Sequence, residues 1–450
     1  MPTPIKKITR VQYWILGLIF CVGLALRILY VHPIVDDTHI ARDAQHYVDY
    51  GYNLFHYHTY SKQIAGSHPV PDSLRSPGYP LFIALFMTAY GDADYLPKLI
   101  YAQAVLGALL APLALFVGIH FLPVGGALAA ALLVAISPHL ITTTSCALTE
   151  TLFSFLLLSA IAMLYYAIGR TPRTLYYLLA ALLFGLAYLT NEAVLFIPIL
   201  IVASCLIHLR IQKHKVLKNI YFKHLLLFAM VFCCFPAMWY LRGFINVPVD
   251  APRGSDRALI TMSHGAYPGF SHNNPTHKYA PYKDDPMQPM FGTSLENFSK
   301  ILWERVAKEP IRYTSWYLFG KPYYLWSWDI IQGSGDIYIN PVKISLFEAS
   351  QVSSVIRFAM KALHPFLLLL AFSGIPLFYV TYRGLFSTET VTALPLLPML
   401  ICIYFTGLYM IFAPWPRYSI PLRPMLYLIA CWTLSTLISY FRNRSTTKSL

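Results

Sequence analysis

The sequence predicts an all-α polytopic membrane protein with about ten transmembrane helices, and three observations support this class. Of its 450 residues, 57% are hydrophobic and only 12% are charged, whereas soluble domains carry about 25% charged residues. The apolar residues form runs close to the roughly 20 residues that a helix needs to cross a bilayer. Short segments rich in Lys and Arg separate several of these runs, as is typical of cytoplasmic loops.

Ten apolar runs are predicted to cross the membrane. The first follows Lys6, Lys7 and Arg10, a pattern that also begins signal peptides. This run is longer than the apolar core of a signal peptide and lacks a small-residue cleavage site, so we expect it to remain as the first span. The ten runs are Val11–Val31, Leu99–Phe121, Val124–Ile141, Leu148–Ile168, Leu175–Thr190, Ala193–Leu209, Leu225–Leu241, Ala362–Tyr382, Val391–Ala413 and Ile420–Phe441.

The basic loops orient these spans. One ten-span arrangement places both termini and every basic segment in the cytoplasm, and we expect the membrane to be a bacterial inner membrane. Residues 1–243 then form an N-terminal transmembrane module, whose first outer loop, 32–95, contains interfacial helices. Residues 244–361 form a large outer loop region with amphipathic helices, and 362–450 contain the C-terminal transmembrane helices. The basic segments are Lys6–Arg10, Arg170–Arg173, Arg210–Lys218, Arg383 and Arg442–Lys448.

The composition argues against several other kinds of site. The formal net charge of +14 does not indicate nucleic-acid binding, because much of the Lys and Arg lies at the ends of spans. Most of the seven cysteines fall inside apolar runs and no CxxC motif occurs, which indicates core residues rather than disulfides or a zinc site. No metal is expected at the loop histidines, because their spacing fits no compact motif. These are His264, His272 and His277, with Asp284 and Asp285.

Two further segments are predicted to be helical without crossing the membrane. Tyr79–Tyr90 is about half the length of a span, and counting it as one would break the orientation above, so we expect an interfacial or re-entrant helix. In the outer region, Thr293 and Glu296 match a capping box, and a helix with Leu295, Phe298, Leu302 and Val306 on one face is expected to end before Pro310. The aromatic residues that follow are expected in a layer at the membrane interface: Trp316, Tyr323, Tyr324, Trp326 and Trp328.

A candidate catalytic carboxylate lies in the first outer loop. Asp43, Tyr47, Tyr50 and Leu54 are spaced at i, i+4, i+7 and i+11, so they share one face of a helix just beyond the first span. A carboxylate and two tyrosines would then point the same way. The alternative is a solvated interfacial helix anchored by aromatic residues, and spacing alone favours that alternative.

A candidate phosphate-binding arginine lies at the end of the same loop. In Arg75-Ser-Pro-Gly-Tyr79, Pro77 and Gly78 fix a turn that places Arg75 just above the lipid. A guanidinium there suits a phosphate group, which it binds through paired hydrogen bonds. The alternative is an arginine that snorkels to the interface and pairs with membrane lipid.

Further charged residues lie at the outer ends of spans. Glu150 opens the fourth predicted span, where a carboxylate at the edge of the hydrocarbon indicates either a functional group or a stabilising charge at a helix N-terminus. Arg417 lies in a proline-framed outer turn, and Arg423 is expected inside the helix bundle. Glu192, after Asn191, interrupts an apolar run and is interpreted as part of a hairpin turn.

Five stretches together resemble the integral-membrane C-type glycosyltransferases related to the protein O-mannosyltransferases and the lipid A aminoarabinose transferase. In chain order they are DAQHY, RSPGYPLFIAL, LTETLF, GLAYLTNEAVLFIP and PRYSIPLRP. The resemblance implies a sugar donor carried on a polyprenyl phosphate and a catalytic aspartate after the first span, which is Asp43. In the aminoarabinose branch a basic residue contacts the phosphate, and that position is Arg75. The acid in the second outer loop of this branch falls on Glu150.

The resemblance does not establish a cofactor. A divalent metal ion is retained as an option, but Leu74 stands where the aminoarabinose branch has a metal-binding acid. The sequence therefore departs from that branch at this metal ligand.

The chemistry expected from these residues is an inverting transfer by single displacement. Asp43 would act as the base, Arg75 would clamp the donor phosphate, and Arg417 would be a second phosphate contact. Tyr47, Tyr79 and Glu150 would bind or position the substrate. The acceptor would be a hydroxyl or phosphate of a protein, lipid or glycan on the outer face, with membrane lipids around the protein. Alternatives are a transporter or flippase of lipid-linked sugars, and a glycan polymerase or ligase of the same fold.

Overall fold

The chain folds as a helical membrane protein, as the sequence predicts. The computed structural model describes residues 9–35, 40, 42–63, 69–169, 173–203, 220–269, 281–330, 336–340, 342–385 and 396–447. These residues form helices and no strand; Ser73 and Arg253 make an isolated parallel bridge. Six described helices are long and apolar enough to cross a membrane, and a seventh span results if one bent helix pair is counted as one. The number of ten spans remains a prediction.

The helices of the N-terminal part follow the predicted runs closely. They are α1 (Arg10–Val31), α2 (Asp43–Tyr57), α3 (Gly78–Gly118), α4 (Val124–Ile136), α5 (Pro138–Thr142), α6 (Glu150–Gly169), α7 (Thr174–Thr190), α8 (Glu192–Ala203) and α9 (Ile220–Asn246).

In the described part of residues 244–450 there are nine more helices. They are α10 (Gly254–Gly265), α11 (Gln288–Phe291), α12 (Leu295–Lys308), α13 (Pro310–Ser315), α14 (Lys321–Leu325), α15 (Leu346–Ala349), α16 (Gln351–Leu385), α17 (Leu396–Ile411) and α18 (Arg423–Thr447). A π-helical turn, Trp316–Gly320, joins α13 to α14.

Helix α3 contains the segment that the sequence left ambiguous. Tyr79–Tyr90 is helical, and it continues into the following span through a kink at Gly91, whose φ is +75°. Only glycine adopts such a φ without strain, so the kink is built into the sequence. Whether the part before Gly91 lies at the membrane interface remains a prediction.

The bend between α4 and α5 is held by an arginine inside the bundle. The two helices meet at 52°. Pro138 has no N–H, so it cannot bond the carbonyl four residues earlier, that of Val134. Arg27, which is fully buried, donates instead to the carbonyls of Val134 (3.4 Å) and Ala135 (3.0 Å). Gly107 leaves room for this guanidinium, because a Cβ there would lie 2.8 Å from Arg27 Nε.

One detail of the outer region, the cap of α12, differs from the sequence prediction. Helix α12 is capped by Ser294 and not by Thr293, because the Ser294 hydroxyl accepts the N–H of Asn297 (3.1 Å). Three tryptophans that were expected at the membrane interface are buried inside the protein: Trp316 is 5% exposed, Trp326 4% and Trp328 6%. Each of their indole N–H groups finds an acceptor inside the protein, which makes burial favourable. Tyr323, in contrast, is 72% exposed.

The outer region has a small core of its own. Phe291, Phe298 and Trp316 pack there against Ala413 and Trp415, which follow α17. The outer region is thereby attached to the chain segment that leads directly into Arg417.

Candidate active site

Three residues distant in the sequence meet through one carboxylate. Asp43 begins α2, Arg75 lies in the turn before α3, and Arg417 lies in the 3₁₀ segment Pro416–Leu422 before α18. Arg75 Nη2 donates to Asp43 Oδ1 (2.6 Å), and Arg417 Nη2 donates to Asp43 Oδ2. The two arginine side chains are 11% and 14% exposed, and that of Asp43 is 29% exposed. Three residues that the sequence analysis assigned to one reaction therefore lie in direct contact.

The ionisation of this cluster follows from its geometry. Burial alone would raise the pKa of Asp43, but the guanidiniums of Arg417 and Arg75 outweigh it and hold the pKa well below its usual range. Burial would lower the pKa of Arg75, and the neighbouring Tyr47 and Asp43 raise it instead. Asp43 is thus a firmly ionised carboxylate. While both arginines hold it, it is a weak base.

The helical face that the spacing predicts in α2 is buried. Tyr47 is 8% exposed, Tyr50 is fully buried and Leu54 is half-buried, so these residues pack into the protein and not into solvent. The Arg75 guanidinium lies over the ring of Tyr47 at 5.3 Å from its centroid, a cation–π contact. This burial rules against the solvated interfacial helix that spacing alone favoured.

Tyr79 forms the layer beneath this contact. Its ring meets the ring of Tyr47 edge to face at 5.4 Å. Its hydroxyl donates to Gln103 Oε1 (2.8 Å), whose amide nitrogen donates to the carbonyls of Thr144 and Cys146. Tyr79 therefore supports Tyr47 from below, and a direct substrate contact by Tyr79 stays a prediction.

Glu150 lies beside the arginine pair. It begins α6 and is buried, with Oε1 3.9 Å from Arg417 Nε. Within the described part of the chain, Glu150 Oε2, Arg75 Nε and Arg417 Nε make no hydrogen bond. Buried polar atoms usually have partners. The cluster therefore offers two donors and one acceptor that a bound molecule could use.

The turn that carries Arg75 is fastened on both sides. The Tyr60 hydroxyl donates to the carbonyl of Arg75 (2.9 Å), and Tyr50 donates to the carboxylate of Asp72. On the other side, Ser76 donates to Glu192 Oε1 (2.8 Å). Arg257 also reaches Glu192, at 3.3 Å. Glu192 begins the 3₁₀ turn that opens α8, at the break after α7 where a turn was expected, and its carboxylate also anchors the turn that carries Arg75.

Sequence reasoning did not identify Tyr60, Asp72 or Arg257. Their roles depend on which chain segments meet in space, and no short motif reports that.

Arg423 is buried inside the bundle, as expected, over the ring of Trp328 (5.6 Å), and it does not join the cluster. His264 stacks on Tyr282 with ring centroids 3.7 Å apart. The other loop histidines, His272 and His277, lie outside the described residues.

The residues of this cluster do not fit a divalent metal ion. Such an ion takes carboxylate oxygens as ligands, but both oxygens of Asp43 already accept arginine N–H groups, and Glu150 faces Arg417. A cation placed there would lie among guanidinium groups and be repelled by them. In the parts of the chain that the structure describes, no group of three or more His, Cys, Asp or Glu could hold a metal.

Comparisons with known proteins identify the fold. No protein-family model matches the sequence, and no curated protein matches it. The chain is similar to the Archaeoglobus fulgidus oligosaccharyltransferase in its apo form, with a TM-score of 0.52 and 16% identity over 97% of this chain and 52% of that one. The same enzyme, AglB, in complex with an inhibitory peptide and a dolichol-phosphate, gives a TM-score of 0.51 and 15% identity over 98% and 52%. A weaker similarity, with a TM-score of 0.41 and 12% identity over 94% and 78%, is to ArnT from Cupriavidus metallidurans bound to undecaprenyl phosphate.

The protein therefore has the C-type glycosyltransferase fold that its sequence resemblance implies. The chain spans about half the length of the oligosaccharyltransferase chains that it matches. At this level of identity the similarity concerns the fold.

Proposed function

We propose that the protein transfers a sugar from a polyprenyl phosphate to an acceptor on the outer face of the membrane. The observation that carries this proposal is the carboxylate of Asp43 held between the guanidiniums of Arg75 and Arg417. Two converging guanidiniums form a site for an anionic group with several oxygens. AglB, which has the same fold, is described with a dolichol-phosphate, and this supports a lipid phosphate as the donor group.

In the free protein, Asp43 occupies the place of the donor phosphate. A sugar phosphate diester carries one negative charge before transfer, and the released lipid phosphate carries more. The guanidiniums therefore gain more attraction as the reaction proceeds, which is the condition for stabilising a transition state. The unbonded Nε atom of Arg75 adds a donor for the phosphate oxygens.

The proposed transfer is a single displacement. The phosphate accepts hydrogen bonds from Arg75 and Arg417, and Asp43 is released from them and recovers its basicity. Asp43 then takes the proton of the acceptor hydroxyl, whose oxygen forms a bond to the anomeric carbon on the face opposite the phosphate. The bond between the anomeric carbon and the phosphate oxygen breaks, and its electron pair stays with the lipid phosphate. One displacement inverts the anomeric configuration.

Tyr47 and Glu150 position the arginines in this proposal. Tyr47 supports the plane of the Arg75 guanidinium, and Glu150 lies on the Nε side of Arg417 and directs its Nη atoms towards Asp43. The acceptor is a hydroxyl or phosphate of a protein, a lipid or a glycan. The sugar and the acceptor are to be found by mass spectrometry of glycans and glycolipids from cells with and without the gene.

The proposal is tested by release of polyprenyl phosphate. The purified protein in detergent is given a sugar on a polyprenyl phosphate together with membrane extract as acceptor. Acceptor-dependent release that disappears in Asp43→Asn is the expected result. Movement of the intact lipid-linked sugar across a vesicle membrane without release would instead establish a transporter or flippase.

A further inference from the structure

Arg242, near the outer end of α9, reaches the turn that carries Arg75. Its Nη1 donates to the carbonyl of Asp72 (2.5 Å) and its Nη2 to the carbonyl of Tyr60 (3.2 Å). The guanidinium also lies against the rings of Tyr60 and Trp239, at 5.1 and 5.0 Å from their centroids. One side chain therefore ties together α9 and two chain segments of the first outer loop.

Both segments lead directly to Arg75. The Tyr60 hydroxyl donates to the Arg75 carbonyl (2.9 Å). The carboxylate of Asp72 accepts the Tyr50 hydroxyl and the backbone N–H groups of Lys62 (2.9 Å) and Leu74 (3.1 Å). Asp72 is 2% exposed and Tyr60 is 7% exposed, so this network is inside the protein. Loss of Arg242 would leave the buried Asp72 carbonyl without its side-chain donor, and the Tyr60 carbonyl would keep only the N–H of Asp72 (3.1 Å).

We infer that Arg242 is a positioning residue that sets the place of Arg75 in the donor-phosphate site. The inference rests on the proposed function, since it assigns the phosphate to Arg75. Among the described residues no carboxylate pairs with Arg242, and its hydrogen bonds go to backbone carbonyls. Its contribution is therefore the geometry of its planar, two-pronged donor group and not its charge alone.

A lysine cannot replace this geometry. An ammonium group is a compact point charge, whereas a guanidinium donates in two fixed directions and stacks on aromatic rings at the same time. Arg242→Lys keeps the charge and loses the fork, so it separates a positioning role from a general electrostatic one.

The test measures binding of undecaprenyl phosphate to the full-length protein in detergent, by native mass spectrometry. We expect Arg242→Ala and Arg242→Lys to weaken binding by about tenfold, because a displaced Arg75 would lose part of its hydrogen bonding to the phosphate. The matched control is Arg312→Ala, because Arg312 is 62% exposed and pairs locally with Glu309. If Arg242→Lys bound undecaprenyl phosphate as tightly as the wild type, the inference would be wrong, and Arg242 would act through its charge.

Hydrogen exchange gives a second readout that needs no ligand. The N–H of Leu74 bonds the Asp72 carboxylate and that of Ser73 bonds the Pro252 carbonyl (3.1 Å). Both Arg242 variants should speed exchange in peptides covering these residues, while peptides from α6 stay unchanged. Unchanged exchange around Ser73 and Leu74 in folded Arg242→Ala would overturn the inference. Faster exchange throughout the chain would also overturn it, in favour of a general structural role.

A double-mutant cycle connects Arg242 to Arg75. Tyr60→Phe removes the hydroxyl that bonds the Arg75 carbonyl, and its effect on binding should not add to that of Arg242→Ala, because both act through one turn. Arg75→Ala tells the two proposals apart. If Arg75→Ala leaves undecaprenyl phosphate binding unchanged, the proposed phosphate site is wrong; if it weakens binding and Arg242→Ala does not, only the positioning role of Arg242 is wrong.

Discussion

Arg417 and Asp43 are 374 residues apart in the chain and form one hydrogen-bonded ion pair at the centre of the candidate site. The pair joins the start of α2 to the segment before α18, so the first and last parts of the chain must be in place before it forms. Arg75 completes the cluster from a third segment. A carboxylate with both oxygens held in this way is an internal counter-ion for two buried cations, which would otherwise repel each other.

Asp43→Asn should separate binding from chemistry. The amide cannot accept a proton, so we expect transfer to fall by at least about 100-fold. The same change removes the anion that competes with the donor phosphate for Arg75 and Arg417. Binding of undecaprenyl phosphate, measured by native mass spectrometry, should therefore be equal to or tighter than that of the wild type.

Asp49→Asn is the matched control for this variant. Asp49 lies on the same helix, is 6% exposed and accepts a hydrogen bond from Gln45 (2.7 Å). The Asp49→Asn variant should keep both transfer and lipid-phosphate binding near wild-type levels. Wild-type transfer by a normally expressed Asp43→Asn protein would show that Asp43 is not the base.

Arg417→Lys should weaken binding of the lipid phosphate although it preserves the positive charge. A lysine ammonium donates from one point, whereas the guanidinium of Arg417 reaches Asp43 through Nη2 and keeps Nε next to Glu150. We expect about tenfold weaker binding and a larger loss in transfer, since in the proposed reaction the arginine stabilises the developing phosphate charge. Arg312→Lys serves as the exposed control, and equal binding by Arg417→Lys would show that charge alone is sufficient.

The stability contributed by Asp43 should have a defined pH dependence. Its pKa is held below the usual value because the two guanidiniums outweigh its burial. A lowered folded-state pKa contributes stability that is fully present above the unfolded pKa, near 3.9, and is lost as the pH falls through the folded pKa. The difference in unfolding midpoint between wild type and Asp43→Asn should therefore be constant from about pH 5 to 8 and shrink below about pH 4.

Asp49 provides the opposite sign in the same experiment. Burial raises the pKa of Asp49, so its contribution to stability is present below the unfolded pKa and is lost as the pH rises through the folded pKa. Relative to Asp49→Asn, the wild type should thus become less stable as the pH rises from about 4. If the difference in unfolding midpoint from the wild type changed with pH in the same direction for both variants, the ion pairs of Asp43 would not control the ionisation of Asp43.

Residues near one another in the sequence were predicted well, and those joined by long-range contacts were not. The i, i+4, i+7 spacing of Asp43, Tyr47 and Tyr50 defines a helical face whatever lies opposite. Local turn residues likewise placed Arg75 before α3. Glu150 and Arg417 could be placed at the same face only through the orientation of the spans and the family resemblance.

The remaining features depend on packing between distant segments. Arg242 and Asp72 meet across 170 residues, and Trp326 bonds Thr406 across 80. Apolar composition is the same for a ring that faces lipid and a ring that faces another helix, so burial of Trp326 could not be predicted from its run. Bonds to backbone carbonyls, such as those of Arg27 and Arg242, require no particular partner side chain and therefore leave no motif.

Gly107→Ala should destabilise the protein at the bend between α4 and α5. The added Cβ would lie 2.8 Å from both Arg27 Nε and Thr144 Cγ2, which is closer than such atoms approach in proteins. Arg27 cannot simply move away, because it supplies the donors for the carbonyls of Val134 and Ala135. Overpacking of this kind costs about 1–3 kcal/mol, so a lower unfolding midpoint in detergent is expected.

Gly125→Ala is the matched control for Gly107→Ala. Gly125 lies in α4, and a Cβ there would meet nothing within 4 Å. Alanine is the better helix former by about 1 kcal/mol, so this variant should match or exceed the wild type in stability. If Gly107→Ala were as stable as Gly125→Ala, the guanidinium of Arg27 would have room to move, and it would not be the group that holds the bend.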